Sequence, residues 1–388
     1  MKINNVKSKM KILVVGPYPP PFSGPESSIK LLMESPLHEK ADLCLINTNY
    51  RKNVAAKGKK DLTALTGIFF LVCRVFLQSL VFRPKIVYYY VTATIPGWLF
   101  KDIWIILAAK LAFRRVVIHM RAGHFRFSYD SAKKWQKFLI RFVCGRCSAG
   151  LVQGKDLRNQ FDMVMPQERI HVIYNMIDNN KYRNLEPDNY IPHRFFFLGH
   201  LSFAKGYCDL LAVIPRIVAE FKDSEFVFAG YKLKQERNIY VNQLNGEILK
   251  AKDPEECFQK YIVGKCEPNY TYLGPIDECR KIEELKKCTA LVLPSYSEGF
   301  SMSVLEALAM GKPVVCTPVG ALKEVVHDSE NGFVVQPGNP ESLYKAIREV
   351  IVQKETVTKM RRYNQIYVGN NFSCLRITNQ LYTIFSKI

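Results

Sequence analysis

The sequence is short of acid. Its 388 residues hold 35 Asp and Glu against 55 Lys and Arg, a formal net charge of +20. No Asp-x-Asp occurs anywhere, so that common carboxylate pair for a metal is not on offer. No period of fixed length repeats, which excludes solenoids and propellers. Glycine and proline, 21 and 20, are near average, which excludes collagen-like and low-complexity chains. No apolar stretch is long and clean enough for a membrane span. The nearest, Leu65 to Phe82, carries Arg74 and Gln78, and an arginine at mid-span costs about 3 kcal/mol. A buried or interfacial helix is the expectation there. Near the N-terminus the apolar run Ile12–Val15 is too brief for a leader and runs into prolines. The eleven cysteines are odd in number and scattered, and are expected to be reduced. Cys144 and Cys147 form a lone Cys-x-x-Cys, better read as two buried small residues than as half a zinc site.

What is present is apolar material and a lopsided charge. Hydrophobic residues make up 48% of the chain, enough for a core, so disorder is excluded as the main state. Residues 1–150 hold 25 basic and 7 acidic residues, whereas residues 151–388 hold 30 and 28. The basic front half is expected to meet something anionic: a membrane surface, a phosphate-bearing substrate or nucleic acid. Nothing resembles a helix-turn-helix or an RNA-binding signature, so nucleic acid is set aside.

Apolar runs closed by glycine or proline mark strands. In the front half they are Lys11–Val15, Leu43–Ile46, Lys85–Tyr90, Val116–His119, Gly150–Gln153 and His171–Ile173. Asp178–Pro192 is polar and reads as a linker. The rhythm then restarts with Arg194–Gly199, Glu225–Gly230, Thr271–Gly274, Thr289–Leu293, Pro313–Cys316 and Phe333–Val335. Helical material lies between. The fold class is α/β, with two doubly wound parallel sheets over 1–180 and 190–368. A last helix, about 369–388, is expected to pack back on the first. The Lys- and Glu-rich stretch 232–270 reads as a surface elaboration without assigned chemistry. Two tandem domains of this kind are expected to face a common cleft with the carboxyl ends of their strands.

Loops after strands are therefore where chemistry belongs. In Pro294–Gly320 a strand ends, a turn follows, and a helix starts near Ser301 or Ser303 and stops at Gly311. Its first N–H groups make an anion site. Glu298 precedes the helix and Glu306 lies inside it. Glu-x7-Glu spacing occurs four times in the chain and carries no weight alone; this pair stands out by lying at a strand-to-helix loop. The plain alternatives are a capping box of Ser303 with Glu306 and a solvated Glu298. In Phe197–Gly206, His200 and Lys205 between glycines suit a phosphate clamp, or else a solvated surface loop. His119, Arg121 and His124 cluster after a front-half strand and would orient a sugar or phosphate. Ser23–Gly24 with Glu26 opens the first helix.

Taken in order, these segments resemble family 4 of the retaining, nucleotide-sugar-dependent glycosyltransferases, which have the GT-B fold. The resemblance runs from about Lys11 to Tyr367. It is carried by KILVVGPYPPPFSG (11–24), VIYNMID (172–178), FLGHLSFAKG (197–206), FVFAGY (226–231) and YLGPI (272–276). Strongest are PSYSEGFSMSVLEALAMGKPVV (294–315) and GFVVQPGNPESL (332–343). The resemblance implies that Glu298 approaches the donor sugar hydroxyls and Glu306 holds the ribose. It implies that Lys205 and the amides of Gly299, Phe300, Ser301, Met302 and Ser303 hold the diphosphate, that Ile276 and His200 line the donor site, and that the Gly24 loop closes over it. Catalytic roles fall on Glu298 and Lys205, with one of His119, Arg121 and His124 facing the sugar. No cofactor and no metal are implied; charge and helix dipoles stabilise the leaving diphosphate. Three departures stand out: His200 replaces an arginine, Gly24-Pro25 replaces Gly-Gly, and Arg121 aligns with the family's histidine.

The expected function is retaining transfer of a hexose-type sugar from a UDP- or GDP-sugar to a hydroxyl of a lipid-linked glycan, as in surface polysaccharide assembly. The expected location is the cytoplasmic face of a membrane, held by anionic lipid. The alternatives are a sugar-nucleotide epimerase or phosphorylase on the same fold, and a basic binding protein without catalysis.

Overall fold

The computed structural model describes residues 9–20, 24–49, 62–182, 190–232 and 239–388. It divides into two units. Unit 1 is Met1–Met176 with Cys374–Ile388, and unit 2 is Ile177–Ser373. The change of unit thus falls at 176/177, just ahead of the polar stretch that the sequence suggests as a linker. Residues 183–189 of that stretch lie outside the described residues.

Unit 1 is built on six parallel strands: β1 Met10–Gly16, β2 Ala41–Asn47, β3 Ile86–Val91, β4 Arg115–Met120, β5 Ala149–Val152 and β6 Ile170–Val172, ordered β2-β1-β3-β4-β5-β6. Alternate residues point to opposite faces. Ile12 and Val14 therefore join one core, and Leu13 and Val15 the other, all four fully buried. Burial on both faces is why the segment reads as an unbroken apolar run. The first face is covered by α1 (Gly24–Glu34) and by the last helix, Cys374–Lys387, whose Ile377, Leu381 and Phe385 are buried there. The second face is covered by α2 (Leu62–Val81), α3 (Ile103–Leu111) and α4 (Lys134–Cys144). Cys144 and Cys147 are buried in this second core, and burial pushes the Cys147 thiol up to about 12. Asp102, fully buried, accepts from Tyr89 Oη at 2.5 Å and from Thr92 N and Oγ1 at 2.8 and 2.6 Å, which pins the loop after β3.

Unit 2 has six parallel strands: β7 Arg194–Leu198, β8 Glu225–Ala229, β11 Tyr270–Tyr272, β12 Ala290–Leu293, β13 Val314–Cys316 and β14 Gly332–Val334. A separate antiparallel hairpin, β9 Ile239–Val241 and β10 Ile248–Lys250, lies in the Lys- and Glu-rich insertion. The sheet order is β11-β8-β7-β12-β13-β14. Numbered within the unit this is 3-2-1-4-5-6, the dinucleotide-fold order, whose direction reverses between β7 and β12. Ligands of such sheets sit outside the carboxyl ends of the strands at that reversal. The helices that matter below are α5 (Tyr207–Glu220) after β7, α6 (Glu278–Lys287) after β11 and α7 (Met302–Ala309) after β12.

Candidate active site

The two strongest loops of the sequence flank the reversal in unit 2. Gly199–Gly206 leaves β7, and Pro294–Ser301 leaves β12. The backbone presses them together. Gly206 has φ +72°, and a Cβ there would lie 2.0 Å from Pro294 O. Tyr296 N donates to Ala204 O at 2.9 Å, and the rings of Phe203 and Tyr296 stack at 4.8 Å. Tyr296 Oη donates to buried Asp209, in the first turn of α5, at 2.5 Å; burial raises the Asp209 carboxyl above its usual range. A second glycine holds the loop from below. Gly320 has φ +58°, its Cβ position is 2.3 Å from Glu298 O, and Ala321 N donates to Gly299 O at 2.8 Å.

This support brings Lys205 to Glu298. Lys205 Nζ lies 2.6 Å from Glu298 Oε1, and Ser295 Oγ donates to the same oxygen at 2.8 Å. Glu298 is 7% exposed and Lys205 27%, so the pair is sheltered on the carboxylate side and open on the ammonium side. The solvated-loop reading of Glu298 does not hold. Beside it α7 begins. Ser301 is its N-cap, accepting from Val304 N at 3.5 Å, and Ser301 Oγ lies 2.9 Å from Ser303 Oγ. The capping box of Ser303 with Glu306 is therefore corrected: the cap is Ser301, and Glu306 points elsewhere. The amides of Met302 and Ser303, first in the helix, have no intrahelical acceptor and carry the positive end of its dipole. The Phe300 ring is buried edge-on to Phe372 at 5.6 Å, so this residue offers the loop its backbone alone.

Glu306 is 8% exposed, and Lys281 Nζ on α6 lies 2.6 Å from its Oε1. Burial, and after it the Glu306 charge, push the Tyr182 hydroxyl up. Ile276, half-buried, lies in the turn before α6. Lys281 has no mark in the sequence, since Arg280, Lys286 and Lys287 share its helix. His200 is half-buried after β7, its ring 6.0 Å from that of Tyr231.

The insertion also reaches this site. Gln243, just past β9, accepts from Glu298 N through Oε1 at 2.9 Å, and its own N donates to Tyr296 O at 3.0 Å. Tyr240 packs against Phe203 at 5.6 Å. The expectation of a surface elaboration without chemistry is thus corrected: one side chain of the hairpin holds the loop that carries Glu298. Gln243→Ala is expected to lower kcat of the reaction below by threefold to tenfold, the worth of about one hydrogen bond. KM should be nearly unchanged; steady-state kinetics checks both.

In unit 1 the clustered donors separate. His119 is 1% exposed inside β4, its Nδ1 2.6 Å from Tyr88 Oη, and its Nε2 is buried without a partner. Burial, then the Arg121 charge, hold its pKa well below the usual value. It is a neutral interior histidine rather than a loop residue. Arg121 leaves the strand end, stacks over Tyr90 at 5.0 Å and donates to Asn175 Oδ1, which also accepts from Gln153 Nε2 at 2.6 Å. His124 precedes the short helix Phe125–Asp130. Tyr90, Gln153 and Asn175 escape sequence reading, because each is an ordinary strand-end residue until the sheet aligns them. Gly24 opens α1 and is exposed, with open space around its Cβ position among the described residues. Ser23, its expected cap, lies outside the described residues; Glu26 is buried and accepts from Asn49 Nδ2 at 3.3 Å.

Residues 180–366 match the family model of the glycosyl transferases group 1. Among curated proteins, an uncharacterized glycosyltransferase of Methanocaldococcus jannaschii, MJ1178, is 45% identical over 221 residues, 56% of this chain and 54% of its own. Spore coat protein SA of Bacillus subtilis is 25% identical over 194 residues, 49% and 48% of the two chains. The matched stretches span about half the length of these relatives. Among solved structures, Anabaena Alr3699/HepE in complex with UDP-glucose has a TM-score of 0.71 at 18% identity, covering 98% of this chain and 100% of its own. The lipopolysaccharide outer core galactosyltransferase WaaB, in its apo form, has a TM-score of 0.66 at 19% identity, covering 98% and 100%. At these identities the likeness is one of fold, and the fold is GT-B: two Rossmann-like parallel-sheet domains.

Proposed function

We propose, for a chain whose residues 180–366 match the glycosyl transferases group 1 family model, a metal-independent, retaining transfer of a hexose. The donor is a UDP- or GDP-sugar and the acceptor a hydroxyl of a lipid-linked glycan. The observation that carries the reading is the Lys205–Glu298 pair beside the start of α7, at the sheet reversal where nucleotides bind. In the structure, ammonium and carboxylate satisfy one another. A diphosphate competes for Lys205, and Glu298 then turns to the sugar hydroxyls. Charge that develops on the departing phosphate meets Lys205 and the amides of Met302 and Ser303, placed before the reaction starts. The bond from the anomeric carbon to the diphosphate oxygen breaks. The acceptor oxygen attacks on the same face, and its proton passes to the departing phosphate oxygen. Glu306, steadied by Lys281, is assigned to the ribose.

UDP is the first nucleotide to test, because Anabaena Alr3699/HepE was captured with UDP-glucose. The lipid-linked glycan acceptor, surface polysaccharide assembly and a place at the cytoplasmic face of a membrane are supported by the basic front half and by the likeness to a lipopolysaccharide galactosyltransferase. Among the described residues no helix is long and apolar enough to cross a membrane.

The test is a thermal-shift screen of UDP, GDP, ADP and dTDP, followed by product analysis with the matching sugars. A nucleotide at 100 times its dissociation constant should add about 2.7 kcal/mol. Stabilisation by UDP or GDP, then sugar transfer with retained configuration, is expected. No stabilisation by any nucleotide would refute the donor site, and conversion of donor without acceptor would favour the epimerase alternative.

A further inference from the structure

Helices α2, α3 and α4 lie side by side on one face of the unit 1 sheet, α3 in the middle. Their inner sides supply the core residues Leu71, Val75, Ile105, Ile106, Ile140 and Val143. Their outer sides are also apolar. Phe70 is 70% exposed, Phe138 68%, and Trp104 and Trp135 more than half. A helix needs one apolar stripe to fold onto a sheet. At about 100° per residue, α4 has two. Ile140, Val143 and Cys144 turn inward. Trp135, Phe138 and Phe142 form a second stripe more than a third of a turn away. Lys134, Lys137 and Arg141 run alongside it.

Phe113 adds an independent sign. It ends α3 in a left-handed conformation, φ +57°. Its N donates to Lys110 O at 2.9 Å, and Arg114 N donates to Ala109 O at 3.0 Å. This is the helix-ending turn in which glycine is at ease and a bulky ring is strained. The residue is also 92% exposed, so the fold gains no packing from its ring.

The charge on this stretch is of one sign. Residues 62–146 contain 14 Lys and Arg and two acids. Asp102 is fully buried, and Asp130 is taken by Arg126 at 2.7 Å. A second copy of the same face would meet it with like charge; an anionic surface complements it.

We propose that this three-helix face docks on an anionic phospholipid bilayer. Its Trp and Phe rings enter the headgroup level, and its Lys and Arg side chains pair with lipid phosphates. The proposal deepens the reading of a lipid-linked acceptor and rests on it for its purpose. The apolar residues of Leu65–Phe82 thus divide between core and exposed face, where the sequence expects a buried or an interfacial helix.

Flotation of the full chain with vesicles of phosphatidylglycerol and phosphatidylcholine tests it. Binding at low salt is expected, with loss at high salt and on phosphatidylcholine alone. Charge reversal at Lys134, Lys137 and Arg141 together, or Trp135→Ser with Phe138→Ser, should weaken binding at least roughly tenfold. Phe113→Gly should raise the melting temperature yet weaken flotation, a combination that a merely structural role for the ring does not produce. Absence of flotation at low salt overturns the proposal. So does a doubled mass in light scattering that Phe138→Ser abolishes, which would assign the face to a second copy. Transfer to acceptor dispersed in detergent is measured in parallel. Transfer without flotation refutes docking and leaves the function standing; flotation without transfer refutes the acceptor reading and leaves the face.

Discussion

Replacing Lys205 with methionine is expected to cut kcat/KM by two to three orders of magnitude. Methionine keeps much of the stem and removes the charge. The effect has two sources of the same sign. On the proposed mechanism the departing diphosphate loses a fixed cation, and removing one such stabilising group from an active site typically costs about 10²–10³ in rate. Glu298, 7% exposed, also loses its ion-pair partner and keeps only the Ser295 hydroxyl. Breaking a sheltered pair from one side leaves an uncompensated carboxylate. The empty protein should therefore melt at a lower temperature, and UDP should stabilise it less than the wild type. Lys205→Arg should recover part of the activity, since the charge returns with a different shape. Because the two groups act as a unit, Lys205→Met combined with Glu298→Gln should be far less damaging than the product of the single effects. Turnover within tenfold of wild type in Lys205→Met would remove this lysine from the diphosphate site.

Gly206→Ala is expected to be a strongly damaging small change in unit 2. Two costs add. A left-handed backbone at φ +72° costs an L-residue about 1 kcal/mol. The new methyl would stand 2.0 Å from the Pro294 carbonyl oxygen, so the two loops have to part. Together they should exceed about 2 kcal/mol, a fall in melting temperature of roughly 5–10 °C for a domain of this size. Parting the loops also separates Lys205 from Glu298, so activity should fall further than stability. Gly206→Asn distinguishes the two costs. Asparagine tolerates the left-handed region but still brings a Cβ. Differential scanning calorimetry should find Asn as harmful as Ala; a clear rescue by Asn would show that space is not the issue.

The strands of both sheets are legible in the sequence because parallel strands, buried on both faces, have to be unbroken apolar runs. The helix–loop site is legible for a related reason: an anion site needs a strand end, a glycine turn and a capped helix in immediate succession, and Leu291–Gly311 shows all three locally. What stays hidden is whatever depends on distant pairing. Gln243 contacts a residue 55 positions away, from strands of three residues in a polar insertion. Lys281 meets Glu306 across 25 positions, in a helix crowded with similar cations. His119 shows the complementary error. Proximity in sequence groups it with Arg121 and His124, but its place within β4 buries it against Tyr88 and keeps it neutral. The outer stripe of α4 is illegible for another reason. Trp135, Phe138 and Phe142 have the spacing of core residues, and only the position of the sheet shows which stripe of the helix is covered.

The return of the helix Cys374–Lys387 to the first sheet makes unit 1 discontinuous along the chain, with the whole of unit 2 threaded between its strands and its last helix. A chain synthesised from its N-terminus therefore finishes unit 2 first. Until the final residues emerge, Tyr88 and the strand residues around it lack the cover of Ile377, Leu381 and Phe385. The order in which the two domains can close is thus written into their connectivity: the domain begun first is the one completed last.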